Sequence, residues 1–586
     1  MMYKKVYKKI IILLFFSFFF QNSFSNNLKS QVFIDNLDRS FVSALTGSPS
    51  SIPVSTEYGF ILIQENRFLA SYSKNGQCLW QRNLNSKIVN FTIGENEFIY
   101  VITSKNELVL VNPSGLILWK KPIGFSTNLC ALEGFDSRIF VQGKNTLSCF
   151  GIGGIKKWSI KTENQSSLPM KKINDGSVIV FLEKLINGKS VAIRVSPFGE
   201  VIEEIVFQGK IINSFESNEG LMVVFSTGEL GMFSIKNEKK GMAYSKWLNK
   251  DIVCTKDSKC IKINNSQYAI ITPTKELSVI NCSTGIKQTS FSIAEIKNNL
   301  LTIDFLDNKY ILSDFEKTIV FYSTGKKYKH FIHPEKTGKY NWNYMTFTDA
   351  GFLIYFSNDW TINSFKIIST SKEKNNYNFL TYKKNLKNYN NFFELENYVP
   401  DGSYFSNKIL ETLKSGDYST KEIDFSKNII SGINSYVFEK NSIQTNLDST
   451  NLIKIEYSPI DLENLISIVP YFQTSQMSEY LAQLLSVETD KTLIIKILQG
   501  ISQCGYDPSG EILLEIERLI KNSNPNDKLI LSSAVDCVYE ICRFMGRPAF
   551  VSKGKNILTN LFYPQYDEST KKSVRQVMQK LADLKM

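Results

Sequence analysis

Between about residues 52 and 368 the chain is written as short apolar runs separated by polar clusters. Phe60 to Ile63, Phe98 to Ile102 and Leu108 to Val111 are typical runs. They are of strand length and rich in β-branched and aromatic residues. The Asn, Gly, Lys and Ser clusters between them carry turn chemistry. From about Ser403 the period changes. Leu462, Leu465, Ile466 and Val469 recur at three- and four-residue steps, as do Leu493, Ile494, Ile497, Leu498 and Ile501. That spacing puts apolar side chains on one helical stripe. A β-rich part is therefore followed by an α-rich part.

The β part repeats. Trp80, Trp119 and Trp158 are each thirty-nine residues apart, and each closes a turn phrase holding Gly76, Gly115 or Gly154. The turn glycine recurs at Gly199, Gly241, Gly285 and Gly325, at spacings of forty to forty-five, and Trp247 reads as a displaced repeat tryptophan after Gly241. A period of about forty residues in strand-rich sequence marks a β-propeller. The count of units predicts seven or eight blades, with eight favoured. The segment from Gln31 to Val54 is expected to supply a strand that closes the ring. The repeat tryptophans read as wedges between neighbouring sheets, and the glycines as turn formers.

In the α part, Tyr480, Leu481, Leu484 and Leu485 form one stripe beyond Pro470. Asp490 is placed to cap the next helix. Asp507-Pro508 is expected to cap and open a helix carrying Ile512, Leu513 and Ile516. Asn526 or Asp527 opens another that stops at Gly546. Pro548 starts the next, and residues 568–585 form the last. Short helices with one apolar stripe each predict a stacked helical-repeat solenoid; a compact irregular helical domain is the alternative. The expected organisation is a secretory signal at 1–25, a propeller at 26–368, a polar Lys/Asn-rich linker at 369–402 and a helical domain at 403–586.

The leader reading rests on four lysines before Ile10, then an apolar run to Phe20 broken only by Ser17, then small residues ending at Ser25. The run is too short to span a bilayer comfortably. The mature chain is expected to be soluble, exported and periplasmic, with an uncleaved signal acting as a tether as the alternative. The formal charge of +12 comes from lysines scattered over all elements, which argues against a nucleic-acid partner. Nine cysteines do not form an evident disulfide framework. Cys504, Cys537 and Cys542 read as core thiols. Only Cys254 and Cys260 are close enough in sequence to bridge a local loop, and the sequence leaves that open.

The glycine–tryptophan phrase resembles the PQQ-like β-propeller repeat, over perhaps 320 residues. That family includes quinoprotein alcohol dehydrogenases and the periplasmic propeller lipoprotein of the outer-membrane β-barrel assembly machinery. The aspartate usual before the turn is replaced by Ser73 and Asn112. The helical part resembles HEAT-type repeats. The resemblance implies a rigid propeller and, in the dehydrogenases, adjacent cysteines over a quinone. This chain has no adjacent cysteines and no Cys-x-x-Cys-His haem signature. His330 and His333, its only histidines, form a conceivable metal pair, with no third ligand read nearby. No phosphate loop, nucleophile elbow or His-Glu-x-x-His helix occurs.

No catalytic, cofactor-binding or metal residue is therefore assigned, and no cofactor is expected. Two interaction folds in tandem predict a non-catalytic scaffold or assembly factor with protein partners in the cell envelope. An exported enzyme with its site in the propeller channel, quinone-dependent or polysaccharide-active, is the alternative.

Overall fold

The computed structural model describes residues 39–367, 413, 422–445 and 459–584, apart from short internal stretches such as 163–167, 235–243, 297–301 and 333–343. The leader read at 1–25 and the linker read at 369–402 lie outside the described residues.

Eight four-stranded antiparallel sheets form the first part, each a simple meander. Blades 1 to 7 occupy 54–83, 88–122, 132–161, 171–206, 211–249, 259–292 and 302–332. Blade 8 takes three strands from 344–366 and its fourth, Arg39–Ala44, from the other end of the propeller. That strand pairs Val42 with Asn363 and Ala44 with Thr361, so the ring closes through backbone hydrogen bonds. The first strand of blade 8, Tyr344–Phe347, lies against Val54–Ser55 of blade 1 and against Thr302–Leu306 of blade 7. First strands therefore line the axis and fourth strands the rim. The outcome is an eight-bladed β-propeller, the larger of the two predicted sizes.

All eight blades share a register shift between the third and fourth strands, as at Ser71/Tyr72, Leu110/Val111, Met232/Phe233 and, in blade 8, Arg39/Phe41. A bulge adds a residue to one strand and increases its twist. In blades 1 to 3 it follows the turn glycine, and the skipped residue immediately precedes Trp80, Trp119 or Trp158. Apolar clusters then fill the space between neighbouring blades, for example Ile61, Leu69 and Trp80 with Ile99, Val101 and Val109.

Eight α-helices follow among the described residues: α1 (Glu422–Thr445), α2 (Pro459–Ile468), α3 (Ser475–Val487), α4 (Lys491–Cys504), α5 (Glu511–Asn522), α6 (Lys528–Met545), α7 (Pro548–Thr559) and α8 (Glu568–Asp583). Odd helices stack on odd and even on even: α3 lies between α1 and α5, and α6 between α4 and α8. The caps follow the sequence. The Asp490 carboxylate accepts from Thr492 N at 2.8 Å and Leu493 N at 3.0 Å, Gly546 ends α6 in a left-handed conformation, and Pro548 opens α7.

One expectation is corrected. Asp507 does not stand next to its helix; the turn Pro508-Ser509-Gly510 intervenes and α5 begins at Glu511. Its side chain still reaches the orphan donors, accepting from Leu513 N at 3.0 Å and Ile512 N at 3.3 Å. The carboxyl is fully buried, and that burial pushes its pKa up to about 7 against the pull of these bonds. No helix among the described residues is long and apolar enough to cross a membrane.

Candidate functional site

The repeat residues join blades in sequence. Each tryptophan stands on a fourth strand and reaches forward to the next blade. Trp80 Nε1 donates to Pro113 O at 2.9 Å, Trp119 Nε1 to Ile152 O at 2.8 Å and Trp158 Nε1 to Pro197 O at 2.8 Å. The ring lies flat on the turn glycine of that blade. A Cβ on Gly115 would stand 2.4 Å from the Trp80 ring, and Gly115 has φ +78°. Both the contact and the left-handed backbone require glycine there. Gly154 and Gly199 stand likewise under Trp119 and Trp158. Gly76, on the first phrase, also has positive φ.

Trp247 does the same work in blade 5. Its Nε1 donates to Cys282 O at 2.7 Å and its ring covers Gly285. In blade 6, Phe291 takes the tryptophan's place over Gly325. Gly241 lies outside the described residues.

In a meander, the turn after the first strand and the turn after the third emerge on the same face. On that face the helices dock, across blades 2 and 3. One continuous apolar cluster runs from Phe98, Tyr100, Ile139 and Val141 into Tyr506, Phe544, Leu481 and Leu498. Tyr506, just beyond α4, is its hub. Its ring packs on Phe98 and Phe544 with centroids 6.3 and 6.0 Å away. Its hydroxyl bonds Ser137 Oγ and accepts from Asn96 Nδ2 at 3.4 Å. Ser478 of α3 donates to its carbonyl at 2.6 Å.

Polar side chains with no obvious place in a propeller repeat are buried at this seam. Lys157, 1% exposed, donates from Nζ to Tyr471 O at 3.2 Å and sits 4.8 Å above the Phe472 ring. Arg138 pairs with Asp136 at 3.6 Å, donates to Pro197 O at 3.3 Å and covers the Phe198 ring. Asp136 and Ser137 both have left-handed backbones, at φ 64° and 58°. Asn112 Nδ2 donates to Arg543 O at 2.7 Å, at the C-terminus of α6. Its Oδ1 accepts from Leu116 N at 2.9 Å and Ser114 Oγ at 2.8 Å, shaping its own turn.

Sequence reading singled out Asn112 only as a departure from the repeat. It did not find Lys157, Arg138, Asp136 or Tyr506. The available signal was the presence of charged residues within two short turn phrases of otherwise apolar blades.

Beside the seam an open cleft of about 210 Å³ remains. Leu79 and Trp80 of blade 1 form one wall, and Pro113 and Ser114 of blade 2 the floor. Gly546 and Pro548, at the α6–α7 turn, form the other wall, and Glu97 is its one charged lining residue. Such a site can hold a bulky apolar side chain with a polar or basic flank.

The remaining candidates are dispersed. His330 lies on the rim strand Lys327–Ile332 of blade 7, where burial lowers its pKa, while His333 lies outside the described residues. Among the described residues no cluster of three or more His, Cys, Asp or Glu side chains is placed to hold a metal. Cys254 and Cys260 are both free thiols, and burial pushes Cys254 up to about 11. Cys504, Cys537 and Cys542 are buried core thiols, each pushed up to about 12. Cys130 is exposed in a connection.

No family model and no curated protein matches the chain. Solved structures with a similar arrangement include BamB from Moraxella catarrhalis, at 12% identity and TM-score 0.42, covering 56% of this chain and 100% of that one. The computationally designed Ika8 protein matches at 12% identity and TM-score 0.39, covering 56% of this chain and 99% of that one. The C-terminal WD40 domain of Sif2 matches at 9% identity and TM-score 0.41, with the same two coverages.

Proposed function

We propose that this protein is an exported, non-catalytic interaction scaffold of the cell envelope, in which a PQQ-like propeller carries a HEAT-type helical unit. One observation carries the reading. The helices are fixed to the propeller through a buried polar and apolar seam, and beside it the two parts jointly form one open cleft. A partner bound there would contact both folds at once, and little would have to be ordered on binding. The lysine-containing leader at 1–25 supports export, and the stacked α-helices support an extended partner surface.

A photo-crosslinking residue at Leu79, on the cleft wall, tests this in the native envelope. The expected result is one reproducible crosslinked protein, lost when Pro548→Glu is added while the fold is retained by circular dichroism. Crosslinks that ignore the second substitution, or that never rise above an exposed control position such as Ile286, would overturn it. Fractionation of the same cells checks the compartment: recovery of the full-length chain with cytoplasmic markers contradicts export.

A further inference from the structure

Blade 7 departs from the repeat at three neighbouring positions, and the departures put two tyrosines on its surface. The residue that opens the turn between the third and fourth strands is small and polar in blades 1, 2, 4 and 6. There the side chains of Ser73, Asn112, Ser196 and Asn281 accept from Gln77 N at 3.1 Å, Leu116 N at 2.9 Å, Glu200 N at 3.1 Å and Ser283 N at 2.9 Å. In blade 7 that residue is Tyr322, whose N–H closes the turn on Lys326 O at 2.8 Å. The residue skipped by the bulge is Tyr328, and the wedge position after it holds Lys329 in place of an aromatic residue.

Ring closure accounts for the lost wedge. A wedge covers the turn glycine of the next blade, and blade 8 has no such turn, because its fourth strand comes from the other end of the propeller. Lys309 and Tyr322 alternate with Ile311 and Val320, which pack towards blade 8, so they lie on that side of blade 7. Tyr322 and Tyr328 stay 38% and 39% exposed, edge to face with centroids 4.9 Å apart. Lys309 Nζ donates to Asp307 O at 3.2 Å and stands 6.0 and 5.3 Å from the two ring centroids. Lys329 Nζ stands 5.5 Å from the Tyr328 centroid. Lys327 pairs with Glu295 at 2.7 Å, but among the described residues Lys309, Lys326 and Lys329 have no carboxylate partner. Exposed phenol rings beside unneutralised ammonium groups suit the headgroup layer of a lipid surface, where both side-chain types keep an apolar body and a polar tip.

We infer that this corner of blade 7 rests on an anionic lipid surface, with Tyr322 and Tyr328 among the headgroups and Lys309, Lys326 and Lys329 against lipid phosphates. Position along the chain selects this occupant over another polyanion. The apolar run of the leader ends at Phe20, and residues 21–38, eighteen in all, separate it from Arg39. Arg39 pairs with Phe365 near the end of the third strand of blade 8, so the chain enters the propeller on the turn face, beside this corner. Eighteen residues span at most about 65 Å, so export delivers this corner close to the bilayer. Once the leader is cleaved, the corner keeps the chain at the surface on which it emerged. The inference goes beyond the scaffold reading and uses neither the seam nor the cleft.

The test uses the mature exported chain, purified from the envelope, and vesicles of phosphatidylglycerol and phosphatidylcholine in roughly equal parts, read by co-sedimentation. The expected result is binding that weakens with added salt and is absent on phosphatidylcholine alone. Lys326→Glu with Lys329→Glu should weaken it at least about tenfold. Tyr322→Ser with Tyr328→Gln installs the residue types that blades 1 and 6 carry at these positions, Ser73 and Gln288. That variant should keep or raise Tm yet bind at least about threefold more weakly, which separates lipid contact from folding. No binding by the native chain, equal binding by the charge-reversed chain, equal binding to phosphatidylcholine alone, or tighter binding to soluble polyglutamate than to the vesicles would each overturn the inference.

Discussion

The side-chain amide of Asn112 donates to the carbonyl of Arg543 at 2.7 Å, joining a propeller turn to the end of a helix 431 residues later. The last carbonyls of a helix have no partner within it, and the helix end carries a partial negative charge. An amide can satisfy them; a carboxylate at this position could not donate and would be repelled.

Asn112→Asp is therefore expected to break the seam and spare the turn, because Leu116 N and Ser114 Oγ keep their acceptor. The loss should be about 2–3 kcal/mol, the cost of an unpaired buried partner plus a charge. Urea unfolding should show an earlier transition. Hydrogen exchange should locate the loss in α6 and in Phe98 to Ile102. Unchanged protection there would refute the role given to Asn112.

The glycine–tryptophan contact can be separated from the backbone requirement. Gly285→Ala puts a Cβ 2.3 Å from the Trp247 ring at φ +70°. Gly188→Ala places one in open space at φ +78°. The second should cost about 1 kcal/mol, for the left-handed backbone alone. The first should cost at least about 2 kcal/mol more, because the ring cannot retreat from a packed interface. Similar losses in both, by chemical denaturation, would mean the tryptophan yields.

Asp507 makes stability depend on pH with a sign opposite to the usual carboxylate. Its folded pKa, about 7, is raised above the unfolded value near 3.9. Its contribution is fully present below about pH 4 and is lost as pH rises through about 7. Asp507→Asn removes the titration but leaves one oxygen, so one of the Leu513 and Ile512 N–H groups loses its acceptor. The variant should be less stable than the native chain near pH 4, and the difference between the two should move in the variant's favour by on the order of 4 kcal/mol between pH 4 and pH 8. Parallel curves across that range would count against a neutral, buried Asp507.

Arg138 and Asp136 are both almost wholly buried and paired at 3.6 Å. Asp136→Asn alone leaves a buried cation short of its counter-charge and should cost about 3–5 kcal/mol. Adding Arg138→Met should recover part of that loss. A double-mutant cycle with no coupling would show that the Pro197 carbonyl and the Phe198 ring hold Arg138 without the ion pair.

Much of the architecture was legible because it is written locally. The tryptophan period, the turn glycines and the caps at Asp490, Gly546 and Pro548 act within a few residues or at one fixed spacing. Trp247 was legible only as a displaced member, since an interruption shifts the period while the fourth-strand position stays the same. The offset of Asp507 from α5 was not legible, because a carboxylate can reach a helix end across a turn as well as from next to it.

The sequence by itself determined a β-repeat followed by α-stripes, the wedge residues and the absence of paired cysteines for a quinone site. Those are properties of composition and short-range spacing. Tertiary structure decided between seven and eight blades, fixed Arg39–Ala44 as the part of the Gln31 to Val54 segment that completes the last, and placed the helices on the turns of blades 2 and 3. It also decided which lysines are buried against helices and which stand beside exposed tyrosines. Such facts depend on contacts between residues hundreds of positions apart, where burial and hydrogen-bond satisfaction choose the partners and no local pattern records the choice.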